Sequence, residues 1–302
     1  MRERFQQIRE FIVRYRRMAQ GIFFVLLMTF LVLQLRHFQT QHFGTQLLQK
    51  VVSPDLWLLL FALLLMPLNW LLEAWKWQLI LKPDQVSLAQ ALRGTLAGLS
   101  LGMITPWRSG ELPGRSAFLS HLPQTRTFLL TAWAGAAQTV ATLLALLLSS
   151  PMNFPLSPVY SFLLGCSFSL LLFYLYPHPL FRLLRYPLPQ DTELPALPVL
   201  SVILGISLLR LAMYVCQYLL LFQFAGISSS LPALLATTLQ FLAAATFSPL
   251  MPLLDPAWRG TAVLLLFPPE QQLQAVFAVG CIWLMNLALP ALTGYVFWVR
   301  KP

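Results

Sequence analysis

Long apolar tracts set the pattern of this chain. Residues 18–35, 56–72, 127–181, 194–209, 211–254 and 271–299 contain no Asp, Glu, Lys or Arg. A helix needs about 20 mainly apolar residues to cross the hydrocarbon core of a bilayer. The 127–181 tract is long enough for two such helices, and Ser149-Ser150-Pro151-Met152-Asn153-Phe154-Pro155 supplies a turn between them. The pattern predicts about six spanning helices, over roughly 18–36, 56–76, 127–149, 156–176, 198–222 and 272–298.

Two further apolar segments are interrupted. Residues 86–120 hold Gly94, Gly98, Gly102, Pro106, Gly110, Pro113 and Gly114 among charges. Residues 230–268 hold Pro232, Pro249, Pro252 and Pro256, then Trp258-Arg259-Gly260. Such breaks predict two half-helices and a turn, a re-entrant hairpin, because irregular backbone at membrane depth must be buried in protein or line a wet cavity.

Composition agrees with the tracts. The 302 residues are 58% hydrophobic and 10% charged, too few charges to solvate a surface, where soluble domains carry roughly 25%. The fold class is therefore all-α, a polytopic integral membrane protein. Residues 18–302 read as a single transmembrane domain. Residues 1–17 carry six Arg with Phe5, Ile8, Ile12 and Tyr15 at helical spacing, the pattern of a cytoplasmic amphipathic helix leading into the first span rather than a cleaved signal peptide. The net charge of +10 fits an inside bias and anionic headgroups, not nucleic acid. With the amino terminus in the cytoplasm and both broken segments returning to the side they enter, most Lys and Arg fall inside, as does the carboxy terminus. Arg36 and Lys50 fall in an outside loop.

A shift of 144 residues brings Glu73 onto Gln217, Glu111 onto Asp255 and Arg115 onto Arg259, with Thr105-Pro106 and Ser248-Pro249 one residue off register. The first hairpin then enters from the cytoplasm and the second from outside. This is an inverted repeat with halves about 56–149 and 198–298, the plan of many secondary transporters, whose sites lie between the halves near the midplane.

The chemistry concentrates in Thr105-Pro106-Trp107-Arg108-Ser109-Gly110-Glu111-Leu112-Pro113-Gly114-Arg115. On a helix Glu111 lies three residues after Arg108 and four before Arg115, so one carboxylate faces both guanidinium groups and the trio keeps a charge of +1. Arginine presents a fixed fork of donors suited to phosphate. Asp255 and Arg259 form a second such pair. Glu73 shares a helix face with Asn69 and Trp77 and is a partner for Arg108 or Arg115. Trp75, Lys76 and Trp77 read as an interfacial belt. Arg210, deep in its span, needs a partner, for which Asp255 is the candidate. Cys166, Cys216, Cys281 and the four His are scattered, so no metal, disulfide or cofactor is expected. Catalytic signatures of the GxSxG, HExxH or P-loop kind are absent.

At these residues the chain resembles the transmembrane, flippase-like region of lysylphosphatidylglycerol synthases and its free-standing relatives. Asn69-Trp70-Leu71-Leu72-Glu73-Ala74-Trp75-Lys76-Trp77, then Pro106-Trp107-Arg108-Ser109-Gly110-Glu111 and Arg115, carry the resemblance; Arg210, Gln217, Pro249 and Asp255 to Arg259 are its looser second half. The resemblance implies a bacterial inner-membrane protein that moves lipid between leaflets. Without an aminoacyl-transferase domain in these residues, it does not imply lipid lysylation. The expected partner is a membrane lipid with an anionic headgroup, a phospholipid or a polyprenyl phosphate. Substrate-binding roles are expected for Arg108, Glu111, Arg115, Asp255, Arg259, Glu73, Arg210 and Gln217. An integral membrane lipid-phosphate transferase, with Glu111 or Asp255 as base, and a non-transporting scaffold are the alternatives.

Overall fold

The computed structural model describes residues 51–119, 122–149, 158–176, 195–246 and 250–300, together with Val25, Thr29, Gln49 and Ser248. The predicted amphipathic helix over 1–17 and span over 18–36 lie outside them, apart from two isolated positions. Every regular element among the described residues is helical. The apolar tracts become α1 (Leu56–Ile80), α4 (Gln124–Ser149), α5 (Pro158–Leu175), α6 (Leu197–Phe224), α9 (Gln272–Trp283) and α10 (Leu289–Val299). The interrupted segments become two helix–turn–helix units, α2 (Leu88–Met103) with α3 (Glu111–Ser116), and α7 (Leu231–Thr246) with α8 (Asp255–Leu266).

Four helical stretches are long and apolar enough to cross a membrane: Leu56–Ile80, Gln124–Leu147, Leu197–Phe224 and Pro269–Val299. Their outward faces are apolar as well. Trp57, Leu60, Leu64 and Leu68 on α1, Val202 and Leu209 on α6, and Leu292, Tyr295 and Val299 on α10 are all exposed. A surface of this kind needs lipid around it. The described residues are all-helical, and their long apolar helices mark a membrane protein.

Local sequence accounts for the ends of the first unit. Ser87 and Gln90 form a reciprocal capping box at the start of α2, with Gln90 N–H donating to Ser87 Oγ at 3.2 Å and Ser87 N–H to Gln90 Oε1 at 2.9 Å. The far end stops because Pro106 forces the preceding residue out of the helical region; Thr105 is extended, at φ −117° and ψ 141°. The Thr105 hydroxyl then pins the turn, donating to Leu101 O at 3.1 Å and accepting Gly110 N–H at 2.8 Å. Arg108 takes a left-handed φ of 57° within this turn, a conformation that costs a non-glycine residue on the order of 1–3 kcal/mol.

Glycine lets the unit close tightly. A Cβ on Gly114 of α3 would sit 2.7 Å from Gly98 Cα, and one on Gly294 of α10 would sit 1.9 Å from Leu96 O. Small residues at helix crossings are the usual means of close approach in membranes. Helix α2 is therefore clasped between α3 and α10, and Trp298 Nε1 on α10 donates to Ala97 O at 3.1 Å.

The two long helices α1 and α6 run antiparallel through the centre, since Gln217 meets Ala62 while Lys76 meets Ser207. Each contributes to two apolar clusters. One gathers Ala62, Tyr218, Phe222, Phe241, Val263 and Phe267; the other gathers Trp77, Leu119, Leu130, Tyr174, Leu200 and Ile203. The turns of the two units touch where Leu253 N–H donates to Met103 O at 3.1 Å.

The structure corrects one expectation here. Lys76 and Trp77 are fully buried rather than part of an interfacial belt, because α1 continues four residues past the predicted end and α2, α4 and α6 cover it; Trp75 is exposed. Trp77 Nε1 donates to Thr131 Oγ1 at 2.8 Å, which satisfies its one donor inside the core.

Candidate functional site

Polar groups on the facing sides of α1 and α6 are buried, and they pair with one another. Glu73 is the centre. Its Oε1 accepts from Arg115 Nη2 at 2.8 Å, and its Oε2 accepts from Lys76 Nζ at 3.0 Å and from Arg210 Nη1. Arg210 Nε donates to Asn69 Oδ1 at 2.8 Å, and its Nη1 also reaches Gln138 Oε1 on α4 at 3.2 Å. Lys76 Nζ donates in addition to Ser207 Oγ at 3.2 Å. One carboxylate thus holds three cations from three helices.

The close packing of α3 on α2 delivers the rest. Glu111 accepts from Arg108 Nε through Oε1 and from Arg115 Nη2 through Oε2 at 3.4 Å, the two-sided arrangement that the i, i+3 and i, i+4 spacing predicts. The Arg115 guanidinium lies 5.9 Å from the centre of the Trp77 ring, within cation–π range. The Arg115 side chain is 6% exposed and that of Arg108 45%, so Arg108 stands at the mouth and Arg115 at the back. In the second unit Asp255 and Arg259 pair at 2.5 Å across one turn, and Arg259 Nη1 donates to Tyr218 Oη at 3.3 Å.

The charged groups among these, with Gln138 and Tyr218, line one cavity of about 480 Å³. Its walls carry five cations (Lys76, Arg108, Arg115, Arg210 and Arg259) and three carboxylates (Glu73, Glu111 and Asp255), a formal balance of +2. Four lining residues also bear a buried polar atom without a hydrogen-bond partner among the described residues. They are Trp70 Nε1, Thr95 Oγ1, Arg115 Nε and Asp255 Oδ1. Unpaired buried groups of this kind are uncommon and call for a partner. The cavity has the charge and the donors to hold an anion.

Seven of the eight expected site residues line this cavity. Gln217 does not. It lies fully buried behind the wall, donating to Ala62 O at 2.9 Å and accepting from Asn286 Nδ2 at 3.1 Å. A second pairing also differs from expectation: the partner of Arg210 is Glu73, and Asp255 belongs to Arg259. The antiparallel register of α1 and α6 sets that choice.

Sequence reasoning missed Lys76, Gln138 and Asn286 as site residues. Asn69, Glu73 and Lys76 recur at helical spacing and were the available signal for the first. Asn286 sits in a π-helical turn, Leu284–Ala288, just before Pro290. Such turns are often found at functional sites. Asn286 links α1 to α6, because Asn69 Nδ2 donates to its Oδ1 at 3.5 Å while its own Nδ2 serves Gln217. Asn286→Leu is expected to lower stability by about 1–3 kcal/mol by stranding both amides; the melting temperature of the detergent-purified protein checks it.

Among the described residues no group of His, Cys, Asp or Glu has the makings of a metal site. Comparisons with protein-family models, with curated proteins and with solved structures return no match.

Proposed function

We propose that this chain is a flippase-like membrane transporter that moves an anionic lipid, of the phospholipid or polyprenyl-phosphate type, between the leaflets of a bacterial inner membrane. The observation that carries the reading is a cavity with five cations and three carboxylates, built inside a bundle whose outer faces are apolar. Charge at membrane depth costs about 2.5–3.5 kcal/mol per group on insertion scales and marks function by default. The set carries a formal excess of +2, which an anionic headgroup would answer.

The architecture proposed with it has six spans and two re-entrant hairpins in an inverted repeat, with both termini cytoplasmic. Element order supports it. A shift of 144 residues carries the end of α1 at Ile80 onto the end of α6 at Phe224, and the start of α3 at Glu111 onto the start of α8 at Asp255. Helix α10 packs on α2 as α4 packs on α7, and α1 opposes α6. The touching turns at Met103 and Leu253 fit hairpins that dip in from opposite faces and meet near the midplane. The resemblance to the flippase-like region of lysylphosphatidylglycerol synthases points the same way.

In this reading Arg108, at the mouth, receives the phosphate, and Arg115 and Arg259 hold it. Glu111, Asp255 and Glu73 keep those cations in place while the cavity is empty and give them up when the phosphate arrives. The two halves then rock about the site, exposing it to one leaflet and then the other. The test is transport of labelled anionic lipid in proteoliposomes. Arg115→Ala is expected to lower the rate by about tenfold or more, and Arg108→Ala by a smaller factor, given the strength of charge-assisted hydrogen bonds to phosphate. Arg115→Ala should still fold, since Glu73 keeps Lys76 and Arg210. Full transport in both variants would dismiss the reading.

A further inference from the structure

We infer that the cavity selects a lipid bearing a terminal phosphate, a phosphomonoester or diphosphate, over the internal phosphodiester of an ordinary glycerophospholipid. The inference rests on the transport reading and narrows its substrate.

Charge is the first ground. The cavity wall carries a formal +2, and every charged side chain in it except Arg108 at the mouth is largely buried. A phosphodiester supplies one negative charge and leaves one cation unanswered. A terminal phosphate carries about −1.5 to −2 near pH 7 and answers both.

Hydrogen-bond capacity is the second and is independent of the first. The unmet donors are Arg115 Nε, Thr95 Oγ1 and Trp70 Nε1, on α3, α2 and α1. Arg115 is 5% exposed and Thr95 1%, so neither group is satisfied by bulk water. Three donors match the three terminal oxygens of a monoester, where a diester offers two. The unmet acceptor, Asp255 Oδ1, lies on the second-half wall and repels an anion there. The phosphate therefore turns its terminal oxygens to the first-half wall and keeps Arg259 as its contact on the second, with Glu111 free to exchange its hold on Arg108 and Arg115.

The test is binding to the detergent-purified full chain, using dioctanoyl phosphatidic acid, dioctanoyl phosphatidylglycerol and glycerol 3-phosphate as probes. Phosphatidic acid should bind about tenfold more tightly than phosphatidylglycerol, as expected where one more charge-assisted contact forms, and glycerol 3-phosphate should bind far more weakly. Thr95→Val, which keeps the volume and removes the hydroxyl, should weaken phosphatidic acid several-fold and leave phosphatidylglycerol nearly unchanged. Equal affinity for the two lipids would overturn the inference and leave the transport reading standing. Binding of neither lipid would overturn both. Glycerol 3-phosphate binding as tightly as the lipid would transfer the site to a soluble phosphate ester. An unaltered Thr95→Val variant would remove the phosphate from the first-half wall.

Discussion

Glu73→Ala is expected to destabilise the protein by about 3–5 kcal/mol and to abolish the proposed lipid transport, the largest effect of any single substitution considered. Glu73 is the common partner of Lys76, Arg115 and Arg210, whose side chains are 1%, 6% and 11% exposed. Without the carboxylate, three like charges remain packed together with Asn69, Gln138 and Ser207 as neutral company and Glu111 reaching Arg115 alone. The cost is that of leaving buried charge unpaired, which exceeds what the pairs themselves contribute. Glu73→Gln should fall between, since it keeps an acceptor and loses the charge. Adding Lys76→Met to Glu73→Ala should recover part of the loss by removing one of the stranded cations. Thermal unfolding of the detergent-purified variants measures all three, and wild-type melting in Glu73→Ala would contradict the hub.

Gly114→Ala is the second large effect. The added methyl would meet Gly98 Cα at 2.7 Å and Ala97 O at 3.1 Å, both backbone atoms of α2 that have no rotamer to give. Helix α3 must move away, at about 1–3 kcal/mol for overpacking. Because α3 carries Glu111 and Arg115, the displacement should also cut transport by on the order of tenfold, as misplacement of a binding group does. Gly205→Ala on α6 is the matched control. A Cβ there meets nothing within 4 Å, and alanine in a helix interior is favoured over glycine by roughly 0.5–1 kcal/mol, so this variant should melt no lower than wild type.

These two positions mark what the sequence discloses and what it hides. Helix positions were legible because lipid demands continuous apolar stretches, and the predicted 127–149 and 198–222 spans fall within α4 and α6 to a few residues. The break at Thr105-Pro106 and the Arg108–Glu111–Arg115 constellation were legible because proline geometry and helical spacing act locally. Long-range pairing was not. Arg210 and Glu73 lie 137 residues apart, and their contact depends on how far α1 slides along α6, which packing decides. Lys76 and Trp77 look like belt residues at the end of an apolar tract; hydropathy registers their composition and not the three helices that cover them. Gln138 and Asn286 are lone amides within apolar runs, and Gln217, matched by repeat position to Glu73, turns out to hold the backbone rather than the cavity.

The proposed transport requires two helical hairpins that reach one charged cavity from opposite faces of the membrane. Single cysteines at Ser87, at the start of α2, and Ser230, at the start of α7, test it in a protein whose native cysteines have been replaced; both positions are exposed. With an impermeant maleimide applied to sealed vesicles of known orientation, one position should label only from the cytoplasmic face and the other only from the opposite face. Labelling of both from the same face would contradict the inverted arrangement and the transport built on it.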